Sequence, residues 1–129
     1  MHVLKLAAPK NRDEVKQFFN QMITPMSCSL TAECQEILLA PESLARDIYT
    51  TATISEKFNC SYSLNSQYKN HLTASDMLLS GRNPDGETRI IEITDHPFFL
   101  AMLFQPQLNS APEHPHPVIY RFFKACQGK

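Results

Sequence analysis

The seven residues Phe98 to Phe104, FFLAMLF, are apolar without interruption, so a strand formed from them has no polar face to turn to water. The run predicts a strand covered on both faces, as in the interior of an α/β sheet. It is far shorter than the roughly 20 residues needed to cross a bilayer. A second pattern lies between Ile54 and Leu64, where Ile54, Phe58, Cys60, Tyr62 and Leu64 occupy even positions and the odd ones are mainly polar. That alternation predicts a strand with one buried face, and Glu56 is the exception on it.

Local signals fill in the rest. Asn11-Arg12-Asp13-Glu14 resembles a capping box, and Val15, Phe18, Phe19 and Met22 follow at helical spacing, which predicts a helix to about Ile23, ending before Pro25. A short strand is expected at Ile37 to Leu39, a helix from Pro41 to Tyr49 and a short helix around Asn65 to Leu72. Strands Met77 to Ser80 and Thr88 to Thr94 flank the turn Asn83-Pro84-Asp85-Gly86 and read as a hairpin. Pro117 suits the first turn of a closing helix whose apolar side would be Val118, Ile119, Phe122, Phe123 and Cys126.

A chain of 129 residues fits one domain able to bury a core unaided. With 12 basic and 13 acidic side chains there is no electrostatic footprint for nucleic acid or an anionic membrane. The start lacks the apolar stretch of a signal peptide, and a cytoplasmic protein is expected. Cys28, Cys34, Cys60 and Cys126 show neither disulfide-framework nor zinc-finger spacing. His96, His114 and His116 invite a metal reading, but no Asp, Glu or Cys completes a ligand set at a recognisable spacing, so no metal and no cofactor is expected. Cys60, on the inward side of its strand, reads as a core thiol rather than a nucleophile. Asp85 and Glu87 read as turn residues.

Asp95, His96, Pro97, Phe99, Phe104, Pro106, Ser110, Pro115, His116 and Pro117 fit a longer pattern, roughly D-H-P-W-F-V-A-x-Q-F-H-P-E-F-x-S-x-P followed by P-H-P-L-F. In it this chain resembles the C-terminal end of the glutaminase domain of the CTP synthase family. Upstream, Ile54, Glu56 and Tyr62 match T-I-x-E-R-H-R-H-R-Y, with Lys57 at its first arginine, and SGRNPDG resembles S-G-x-S-P-D-G. The similarity covers about residues 26–126 and leaves 1–25 unmatched. It implies a shortened three-layer α/β fold of the class I glutamine amidotransferase type, flavodoxin-like and without its N-terminal half.

The resemblance also implies losses. Gln105 stands where the family has the histidine that takes the thiol proton, and an amide cannot act as a general base. Gln107 replaces the glutamate that orients that histidine. Ser61 replaces the arginine that helps hold the substrate carboxylate, leaving Lys57, Ser61 and Tyr62 as a remnant of the substrate site. Gly81, Gly86 and Gly128 are the only glycines; none flanks a cysteine as a nucleophile elbow requires, and no phosphate-binding G-x-x-x-x-G-K-[ST] loop is present. The expectation is a catalytically silent homologue acting by binding. Its partner would be a second copy or another protein covering an open sheet edge at Phe98 to Phe104. The competing expectation is one piece of a split or truncated glutamine-hydrolysing enzyme that supplies ammonia for pyrimidine nucleotide synthesis.

Overall fold

The structure, a computed structural model, describes residues 12–13 and 22–128. The helix expected to carry Phe18 and Phe19 lies outside the described residues. Five strands, β1 (Ile23–Leu39), β2 (Thr53–Leu64), β3 (Met77–Arg82), β4 (Thr88–Ile93) and β5 (Leu100–Met102), form one sheet in the order β2-β1-β3-β4-β5. Every pairing is antiparallel. Helix α1 (Leu44–Tyr49) joins β1 to β2. A 3-10 turn (Ser66–Tyr68) running into α2 (Lys69–Thr73) joins β2 to β3, and α3 (Pro117–Gln127) closes the chain after a second 3-10 turn, Pro106–Asn109.

The strand expected at Ile37 to Leu39 is the end of a 17-residue element. Most of β1 pairs with β2 alone; β3 meets it only at Leu38 and Leu39, opposite Arg82 and Gly81. At that junction Gly81 has a structural reason to be glycine: a Cβ there would lie 2.6 Å from Ile90 Cγ1. The β3–β4 turn forms as its sequence dictates. Asn83 Oδ1 accepts from the Glu87 N–H at 2.8 Å, and Gly86 takes φ 88°, which glycine adopts without strain.

Helix α1 is short, and its end is satisfied from two directions. Ser43 accepts from the Arg46 N–H at 3.0 Å, the usual N-cap contact. The buried carboxylate of Glu92, on β4, accepts from Leu44 N–H at 2.7 Å and Ala45 N–H at 3.0 Å. Free helix-end amides are thereby paired, and α1 is fastened to the sheet. Thr50 ends it with φ 59°, a left-handed conformation unfavourable for a β-branched residue.

The core gathers Leu30, Ile37, Leu39, Ala45, Phe58, Ile90 and Phe104, with Phe58 and Phe104 edge to face at 5.9 Å. Burying the leucine, isoleucine and phenylalanine side chains among them contributes about 1.5–3 kcal/mol each. Three expectations need correction. Only Leu100–Met102 of the apolar run is strand, and it is not covered on both faces, since Ala101 is exposed; it does stand at the edge of the sheet, and of the seven residues Phe104 alone is fully buried. The side expected to be buried on α3 is largely outside, since Phe122 and Phe123 are 49% and 61% exposed. On β2 the alternation holds through Phe58 and then fails. A register irregularity between Pro25 and Leu30 leaves Cys60 half-buried and turns Tyr62 out and Ser63 in.

Candidate functional site

Gln105 and Gln107 lie on the connection that leaves β5. Phe104 is driven into the core, and Gln105 follows it half-buried. The Gln105 N–H donates to the Lys57 carbonyl at 3.3 Å, and its own carbonyl accepts from Leu108 at 3.0 Å. Pro106 opens the 3-10 turn, a position where no amide donor is needed. Gln107 is exposed, and its carbonyl accepts from Ser110 at 3.4 Å. The loop is closed at its far end by Ser110 Oγ, which accepts from the His116 N–H at 3.0 Å.

The fold thus brings Gln105 to the backbone of Lys57 but does not assemble all the expected residues. Ser61 is four residues farther along β2, roughly 13 Å at about 3.3 Å per residue. Ser61 and Tyr62 are exposed. Neither shares a hydrogen bond or ion pair with Gln105 or Gln107 among the described residues. The Cys60 thiol donates to the Tyr62 carbonyl at 3.1 Å.

Directly beneath this surface is a buried polar group that sequence reasoning did not assemble. Glu56 and His116 are 4% and 2% exposed, with Nε2 of His116 at 2.8 and 2.9 Å from the two carboxylate oxygens. The Val118 N–H donates to His116 Nδ1 at 3.1 Å, which makes that nitrogen the acceptor and puts the ring hydrogen on Nε2. One imidazole therefore does two jobs: Nδ1 caps α3 and Nε2–H meets the buried carboxylate. The ring of Phe104 lies 6.3 Å from that of His116. Tyr49 closes the group with its hydroxyl 3.3 Å from Nε2; burial first, and then the nearby charge of Glu56, push its phenol well above the ordinary range. The signal was present in the sequence, since Glu56 interrupts an otherwise apolar face.

Chemically, the surface offers amides, a hydroxyl and an exposed lysine, whereas the acid and imidazole below are sealed from solvent. No group of three or more His, Cys, Asp or Glu residues among the described residues is arranged to hold a metal ion. No helix among them is long and apolar enough to cross a membrane.

No family model matches the chain. Curated relatives do: CTP synthase of Syntrophus aciditrophicus is 36% identical over 105 residues, covering 81% of this chain and 20% of the relative. CTP synthase of Acidobacterium capsulatum is 42% identical over 85 residues, covering 65% and 16%. The chain therefore spans about a fifth or less of the length of these relatives. Among solved structures, the glutaminase domain of Trypanosoma brucei CTP synthase with bound acivicin superposes with a TM-score of 0.77 at 22% identity, covering 84% of this chain and 47% of that one. A Thermoplasma acidophilum protein described as a candidate GMP synthase component gives 0.60 at 12% identity, covering 90% and 53%. The chain is a homologue of CTP synthase, built on the fold of that family's glutaminase domain.

Proposed function

We propose that this CTP synthase homologue does not hydrolyse glutamine and acts through binding. The observation that carries the reading is the pair Gln105 and Gln107 on the loop held against Lys57. A side-chain amide does not take up a proton near neutral pH, so neither residue can serve as the base for a thiol. Ser61 and the outward-turned Tyr62 leave little to grip a substrate carboxylate. What remains of the surface favours association: β5 is an edge strand, and beside it Phe98 packs on the exposed Phe122 at 5.6 Å between ring centres. Unpaired strand edges and clustered apolar groups of this kind promote contact with another chain.

The share of its relatives that the chain spans, about a fifth, gives some support to a second reading, a piece of a divided glutamine-hydrolysing enzyme whose nucleophile lies on another polypeptide. The loop argues against it, because a supplied cysteine would still lack its base. Ammonia release from glutamine by the purified chain separates the two. The expected result is none above a buffer blank, and none in Gln105→His/Gln107→Glu either; turnover by the unmodified chain would overturn the proposal. Light scattering over a concentration series tests association, with a mass above that of one chain expected.

A further inference from the structure

The β3–β4 turn and the far part of the β1–β2 arm border an open cavity of about 490 Å³, whose polar wall includes Gln35, Ser63, Lys69, Glu87 and Arg89. Its volume lies within the roughly 300–1,000 Å³ usual for small-molecule sites. It is separate from the Gln105 surface: Ser63 is six residues along β2 from Lys57, about 20 Å at ~3.3 Å per residue.

The decisive group is Arg89, whose side chain is 2% exposed. Three of its hydrogens are fixed on the protein side. Nε–H donates to Gln35 Oε1 at 2.8 Å, and Nη1 donates to Ser63 Oγ at 3.3 Å and to the Thr88 carbonyl at 3.2 Å. The Phe58 ring lies 5.8 Å from the guanidinium carbon. Nη2 differs, because its one partner among the described residues is Glu87 Oε2 at 2.9 Å, and the second Nη2 hydrogen has no acceptor there.

A buried guanidinium needs a counter-charge, yet this one comes from a side chain 51% exposed on the segment just after the Gly86 turn. The interior orients the arginine and leaves its charge to be met by a group that can swing into water. A second cation stands near: the Lys69 ammonium rests on the Gly86 carbonyl at 3.3 Å, a neutral partner. Asp85 also borders the cavity but is exposed, where its repulsion is screened.

We propose that this cavity is a binding site for a small dicarboxylate. One carboxylate takes the place of Glu87 on Nη2 of Arg89, using the hydrogen that now has no acceptor, and the other meets Lys69. Glu87 is then a resident plug that competes with the ligand. The contact is a charge-assisted hydrogen bond from a guanidinium to a carboxylate, stronger than its neutral counterpart. It does not depend on whether the Gln105 loop has any chemistry.

Titration of the isotope-labelled full chain with succinate at constant ionic strength, with sodium chloride in parallel, tests it through the backbone resonances of Gln35, Ser63, Glu87 and Arg89. Saturable shifts are expected with succinate and not with chloride. Glu87→Gln removes the competing charge, and if the plug is out in roughly one molecule in ten, affinity rises about tenfold. Arg89→Met abolishes the shifts; should it fail to fold, Lys69→Ala, a change at an exposed residue, decides by weakening them. Absence of saturable shifts in both the natural chain and folded Glu87→Gln overturns the site. Equal affinity of those two proteins overturns the plug, and an unaltered response in Lys69→Ala overturns the second contact.

Discussion

Removing Glu56 tests whether the loop that carries Gln105 and Gln107 owes its placement to the polar group beneath it. In Glu56→Ala the Nε2–H of His116, 2% exposed, loses the carboxylate that now lies at 2.8 Å. Orphaning a buried donor costs about 1–3 kcal/mol, and because the imidazole is neutral no buried charge is left behind. His116→Ala strands the buried carboxylate instead, at a larger ~3–5 kcal/mol, and also removes the Nδ1 contact to Val118, worth ~1 kcal/mol as a cap. Glu56→Gln keeps an acceptor without the charge and should fall between these variants and the natural chain. Because both single losses remove the same contact, the double variant should be less harmful than their sum by about 2 kcal/mol. Urea unfolding measures all four, with a lowered midpoint at unchanged slope for each, and the Gln105 amide should exchange faster with solvent in Glu56→Ala. A cost below about 1 kcal/mol for Glu56→Ala, with strictly additive effects in the double variant, would refute the reasoning.

Gly81→Ala drives a methyl to within 2.6 Å of Ile90 and should cost about 1–3 kcal/mol, with Ile90→Val recovering part of it in thermal melts. Thr50→Gly relieves a left-handed β-branched residue and should raise stability by up to about 1 kcal/mol; an unchanged melting temperature would mean that the Thr50 hydroxyl bond to the Tyr49 carbonyl at 2.6 Å offsets the strain. The Tyr49 phenol ionises less readily in the folded chain than at its ordinary value of 10.0, so the folded state holds the proton that the unfolded state releases. Its contribution is complete below about pH 10 and is lost as pH rises beyond that, by at most about 1.4 kcal/mol per unit; Tyr49→Phe should flatten this alkaline slope.

Much of the fold was legible because local chemistry decides it. The hairpin around Asn83 to Gly86, the ends of β2 and the proline-led α3 formed close to where turn residues and spacing placed them. Hydropathy failed where it had to specify what lies on the other side of an element. Phe98 to Phe104 and the aromatic face of α3 are patterned for burial, but Phe99, Ala101, Phe122 and Phe123 face outward, because the described residues supply no layer to receive them. Register errors explain the rest: a single irregularity opposite Ser61 is enough to exchange the faces of Tyr62 and Ser63. Within the candidate site, the positions of Gln105 and Gln107 were legible through resemblance. The acid and imidazole below them were not, since Glu56 and His116 are 60 residues apart and no local rule pairs side chains at that range.

The junction of β1 with β3 at Leu38 and Leu39 divides the sheet into a long two-stranded arm and a three-stranded meander, β3 to β5, made of neighbouring segments. The meander closes short loops and should assemble early, whereas the arm must wait for its distant seam. Once folded, the two parts are tied together by more than that seam: by the Glu92 clamp on α1, by Arg89 of β4 reaching Gln35 and Ser63 on the arm, and by a common core, so they should open together. Native-state hydrogen exchange should then place the amides of the Leu38 and Leu39 seam in the same slow-opening unit as those of β4, beside Gly81, where a Cβ would meet the side chain of Ile90.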